Sequence, residues 1–80
     1  MTVMNSCTVI IRPIGMLKNY IGGHNEASVP AMQTVRSALT SIGIPPELVA
    51  LVIVNENQQS KDYVLQEQDV VKVLAVIGGG

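Results

Sequence analysis

Thr34-Val35-Arg36-Ser37-Ala38-Leu39-Thr40-Ser41-Ile42-Gly43-Ile44-Pro45-Pro46 is the stretch that decides the fold. Thr34 suits a helix N-cap, because its hydroxyl can accept from an orphan N–H of the first turn. Val35, Ala38, Leu39 and Ile42 follow at i, i+3, i+4 and i+7 and form one apolar stripe. Arg36, Ser37 and Thr40 fall on the other side. Gly43 supplies a C-terminal stop, and Pro45-Pro46 blocks continuation. The pattern predicts one main helix over residues 34–42.

The flanking segments read mostly as strands. Residues 7–14 are apolar and β-branched, interrupted by Arg12, and predict the first strand. Gly15 and residues 16–20 lead into Gly22-Gly23-His24-Asn25, a turn signal. Ala27 and Val29 alternate with Glu26 and Ser28, which predicts a short second strand ending at Pro30. After the helix, residues 46–50 suit a further helical turn and residues 51–54 a third strand. Residues 55–62 are polar and read as a loop or irregular hairpin. Residues 63–65 read as a short edge strand, residues 67–69 as a turn and residues 70–77 as the last strand. The order is an α+β plan, a mixed sheet of four to five strands packed on one main helix. The domain covers residues 1–77, and residues 78–80 form a glycine tail.

Composition narrows the function. Eighty residues make one domain. The chain is 48% hydrophobic and carries five basic and six acidic side chains. It lacks the basic run that neutralises a row of phosphates, so nucleic acid is not an expected partner. Its apolar runs stay below the roughly 18–20 residues of a membrane span, so no membrane is expected either. The start lacks a secretory pattern, so the cytoplasm is the expected location. Cys7 is the single cysteine, so it forms no internal disulfide, and it reads as a small residue at a strand start. Cys7 and His24 do not make a metal site. His24, Asp62, Glu67 and Asp69 read as solvated turn and loop residues. No nucleophile–base set stands out, so the chain is not expected to be an enzyme in its own right.

Strand alternation divides the sheet into two faces. If Arg12 and Lys72 both point away from the helix, then Thr8, Ile10, Val70, Leu74 and Val76 share that outer face. Val9, Ile11, Val71, Val73 and Ile77 then line the core. The outer face is more apolar than solvation requires, which makes Ile10, Arg12, Val70, Lys72, Leu74 and Val76 a candidate partner patch, the other reading being ordinary exposed strand residues. Lys61 and Lys72 are candidates for steering that partner.

Gly78-Gly79-Gly80 follows the last strand. Glycine gives up the most backbone entropy on folding, so these residues are expected to protrude. Without side chains they can thread a narrow channel, and they end in an α-carboxylate. Adenylation would give that carboxylate a good leaving group. Attack by sulfide or a persulfide then leads to a thiocarboxylate, and attack by an amine leads to an amide. In either case the chain is a substrate that supplies no catalytic side chain.

The ordered set Thr34-Val35, Leu39, Ile42-Gly43-Ile44-Pro45, residues 52–55, Asp69-Val70-Val71 and the terminal glycines resembles the MoaD/ThiS family of β-grasp sulfur carriers. The resemblance runs over residues 7–80. It implies a ubiquitin-like sheet clasping one helix, with the first and last strands parallel at its centre. It implies that Gly79-Gly80 is the family diglycine and that Gly80 is adenylated and thiocarboxylated, with Gly78 as extra slack. It implies no bound cofactor, since ATP is used by the activating enzyme. The implied partners are a ubiquitin-activating-type adenylyltransferase, a sulfur donor such as a cysteine desulfurase or rhodanese-type protein, and a biosynthetic synthase subunit. Family destinations are molybdopterin or tungstopterin, thiamine thiazole and thiolated tRNA. The segment Arg12-Pro13-Ile14-Gly15-Met16-Leu17 with Tyr20 and Gly22 is closer to the MoaD branch. Two family glycines are replaced here by Glu56 and Gln68, so both turns are expected to change backbone geometry. Two other functions remain open: a modifier joined to target lysines through Gly80, and a non-reactive β-grasp interaction module.

Overall fold

A computed structural model describes residues 8–75. The domain boundary expected at residues 77 and 78 lies outside them. The strands are β1 (Thr8–Pro13), β2 (Ala27–Pro30), β3 (Val49–Val54), β4 (Asn57–Gln59) and β5 (Val70–Ala75), and the α-helix is α1 (Val35–Ser41). They form one five-stranded mixed sheet in the order β2-β1-β5-β3-β4. β1 and β5 are parallel, and β5 is antiparallel to β3 on its other side. This is the α+β sheet on one helix that the sequence predicts, with the central parallel pair that the family resemblance implies.

Alternation in β1 and β5 sets the two faces. Val9, Ile11, Val71 and Val73 are fully buried. They meet Val35, Ala38 and Leu39, the buried stripe of α1, in a single core. A helix of this length is not stable alone, so packing on the sheet holds it. Its ends are closed locally. The Thr34 hydroxyl oxygen accepts from the Ser37 N–H at 3.1 Å. Beyond the last turn, Gly43 is left-handed at φ 88°. The Ile44 N–H then reaches the Leu39 carbonyl and the Gly43 N–H the Thr40 carbonyl, the paired bonds of a Schellman stop. Ile44 and Leu39, both fully buried, supply the hydrophobic contact that accompanies it.

Several segments differ from their sequence reading. Residues 16–20, to which the sequence reading assigns no element, lie inside a 3-10 helix, Gly15–Ile21, which buries Leu17 and ends at the left-handed Gly22. The helical turn expected over residues 46–50 covers only Pro46–Leu48, and β3 begins at once at Val49. Residues 63–65 are not an edge strand. They form one bridge, Thr34 to Val64, because the facing chain turns into α1 and cannot extend a ladder. Leu65 is nevertheless fully buried.

The polar segment over residues 55–62 contains a tight hairpin, with Val54 opposite Asn57. Asn55 and Glu56 form its tip at φ 48° and 73°. Two successive left-handed residues are the signature of a type I′ turn. The expectation that Glu56 and Gln68 shift the turn geometry is overturned: both adopt positive φ, Gln68 at 70°. Hairpin pairing and the hydrogen bonds around Asp69 hold them there. A side chain in this region carries a penalty that glycine avoids. Glu56→Gly is therefore expected to stabilise the domain by about 0.5–1 kcal/mol, read as a higher urea midpoint at unchanged slope. A lower midpoint would show that Glu56 is not strained.

Candidate functional site

The face of the sheet opposite α1 is built by register. Ile10 pairs with Val70 and Arg12 with Lys72 across the parallel ladder. On the other side of β5, Ile53 pairs with Lys72 and Leu51 with Leu74. Ile10, Val70, Leu74, Leu51 and Ile53 are half-buried, and Arg12 and Lys72 are exposed. The predicted patch is therefore brought together on one surface for Ile10, Arg12, Val70, Lys72 and Leu74. Val76, Gly78, Gly79 and Gly80 lie outside the described residues, as do Cys7 and Ile77. β5 ends at Ala75, paired with Val49, so residues 76–80 follow directly from the central strand.

A shallow depression of about 440 Å³ occupies this face, lined by Arg12, Ile53, Asn55, Glu56, Val70 and Lys72. Sequence reading did not reach Ile53 or Leu51. β3 is apolar on both faces from Leu51 to Val54, so no polar alternation marks its outer side. The bulge between Val49 and Leu51 further obscures the phase. Ile14, which follows β1, adds another exposed aliphatic at 43% accessibility. Its N–H bonds the Val73 carbonyl at 3.0 Å, which fixes the chain beside β5.

The charges differ in their freedom. The Arg12 Nε donates to Glu26 Oε1 at 3.2 Å across to the approach to β2. Lys61 Nζ donates to the Pro46 carbonyl at 2.9 Å, which ties it to the fold rather than to an incoming partner. Asp62 pairs with Arg36 at 3.2 Å and stays exposed. His24 is exposed in its turn, as expected. Among the described residues, no group of three or more His, Cys, Asp or Glu could hold a metal ion. No helix among them is long and apolar enough to cross a membrane.

Asp69 is not the solvated loop residue expected from sequence: it is only 5% exposed. Its Oδ1 accepts from Asn55 Nδ2 at 2.8 Å. Its Oδ2 accepts from the Gln66 N–H at 2.8 Å and from the Tyr63 hydroxyl at 3.4 Å. Asn55 in turn accepts from the Val70 N–H at 3.0 Å. One carboxylate thus joins the end of β3, the loop and the start of β5. Burial, then the Asp69 charge and the hydrogen bond to it, raises the Tyr63 phenol above its ordinary value.

Asp69→Ala leaves the Asn55 amide and the Gln66 N–H without their acceptor. It should destabilise the domain by about 2–3 kcal/mol in urea melts. An unchanged midpoint would mean that the network carries no stability. Tyr63 gives a separate alkaline signature. Above the ordinary tyrosine pKa the unfolded chain has lost a proton that the folded chain keeps, so stability falls as pH rises through that range. Tyr63→Phe should flatten this fall, and an alkaline stability profile identical to that of the parent would contradict the shift.

The ThiS family model matches residues 14–80. Among solved structures, the solution structure of Urm1 from Trypanosoma brucei is similar, with a TM-score of 0.63 and 16% sequence identity over 98% of this chain and 100% of that one. No curated protein sequence matches the chain.

Proposed function

We propose, for a chain that belongs to the ThiS family of ubiquitin-like sulfur carriers, that the reacting group is the α-carboxylate of Gly80. The observation that carries this reading is the extent of the family match, which runs to residue 80 and includes all three terminal glycines. A carboxylate oxygen of Gly80 attacks the α-phosphorus of ATP on an activating enzyme, and pyrophosphate leaves. Sulfide attacks the acyl-adenylate, AMP leaves, and a thiocarboxylate remains. A persulfide donor displaces AMP to give an acyl disulfide instead; a thiol then attacks the donor-side sulfur, forms a disulfide with the donor, and expels the same thiocarboxylate. The carrier contributes the carboxylate and a shape, and the catalytic groups belong to its partners.

The partners in this reading are a ubiquitin-activating-type adenylyltransferase, a cysteine desulfurase or rhodanese-type sulfur donor, and a synthase subunit that consumes the sulfur. The synthase is of the molybdopterin or tungstopterin type, with thiazole formation for thiamine as the next choice. The outer sheet face serves as the docking surface. Two of its half-buried aliphatics, Val70 and Leu74, lie on the same central strand that leads to residues 76–80. A partner seated there covers the strand from which those residues continue in sequence.

Intact-mass measurement on protein from its native host tests the chemistry. Replacement of one oxygen by sulfur at the C-terminus is the expected result, lost on deletion of Gly79 and Gly80. Higher-mass conjugates through lysine would identify a modifier. The absence of both species, with cognate activating enzyme, ATP and a sulfur source supplied, would overturn both readings and leave an interaction module.

A further inference from the structure

The outer face carries a charge arrangement that the described residues do not satisfy. Arg12 and Lys72 are direct register partners on adjacent parallel strands. Like charges placed opposite one another in a sheet are unfavourable. Glu26 meets only the Nε of Arg12. Lys72 has no ion-pair partner among the described residues. Both cations border a depression whose apolar lining is Ile53 and Val70. At one end of that depression stands Glu56, also without an ion-pair partner among the described residues.

Resting on the carrier reading, we propose that this depression takes an acidic–apolar peptide segment of a partner protein. One carboxylate enters between the Arg12 guanidinium and the Lys72 ammonium, and a neighbouring aliphatic side chain covers Ile53 and Val70. The carboxylate separates the two like charges and accepts charge-assisted hydrogen bonds from both. The terminal nitrogens of Arg12 remain available for it while Nε stays with Glu26. Glu56 sets the polarity: it repels a carboxylate placed at the Asn55 end, so the segment binds in one direction. The hairpin that holds Glu56 at positive φ thereby also serves recognition.

The test is an NMR titration of the isotope-labelled full chain with acetyl-Leu-Glu-Leu-amide, against the glutamine counterpart acetyl-Leu-Gln-Leu-amide. Saturable shifts at Arg12, Ile53, Val70 and Lys72 are expected with the acidic peptide, and binding about ten-fold weaker with the neutral one. Lys72→Gln, an exposed position that leaves the core untouched, should remove that preference, and added salt should weaken it. Glu56→Gln should tighten the acidic peptide. Equal response to both peptides, shifts confined elsewhere, no saturation at millimolar peptide, or an unaltered Lys72→Gln titration would each overturn the proposal. Shifts that depend on protein concentration alone would identify a second copy as the occupant and also overturn it. Deletion of Gly79 and Gly80 should leave the titration unchanged, so failure here is separate from failure to form a thiocarboxylate.

Discussion

The rest of the fold depends on the parallel pairing of β1 with β5. It joins the first and last described strands within the sheet, where Val9, Ile11, Val71 and Val73 are completely buried. Closing so long a loop is unfavourable until the buried contacts offset it. Once the pair forms, every other element has a place. β2 adds to one side by way of β1, and β3 adds to the other by way of β5. α1 then covers the apolar face that the pair presents. Strands this far apart in sequence make the topology strongly non-local, which is characteristic of slower folding.

What was legible in the sequence was what local chemistry decides. The helix has its cap at Thr34 and its stop at Gly43 because both use backbone groups within one turn. The two faces of β1 and β5 were readable because Arg12 and Lys72 mark the outside. Residues 63–65 were misread because strand propensity cannot report that the facing chain is already turning into α1. Asp69 was misread because its burial depends on Asn55 and Tyr63, which no periodicity connects to it. The docking face was half visible for a similar reason. β1 and β5 declare their outer residues, whereas β3 is apolar on both sides and hides Ile53.

The left-handed residues Glu56 and Gln68 connect fold to face. Glu56 follows Asn55 and Gln68 precedes Asp69, so both left-handed residues flank the Asn55–Asp69 hydrogen bond. That bond and its companions over-determine the two turns, which is the condition under which unfavourable backbone angles persist. The same contacts fix β3 against β5 at one end of the outer depression. Its shape therefore rests on a buried carboxylate that is not among its lining residues.

The position of β5 has a mechanical consequence. Tension applied at the C-terminal end of an edge strand would peel its hydrogen bonds open one after another. β5 is flanked on both sides, by β1 and by β3. Tension along it loads both ladders in shear, so many bonds resist together. A pull on the chain beyond Ala75 therefore meets the resistance of two ladders rather than one. The last described strand is thus the one that the sheet holds from both sides.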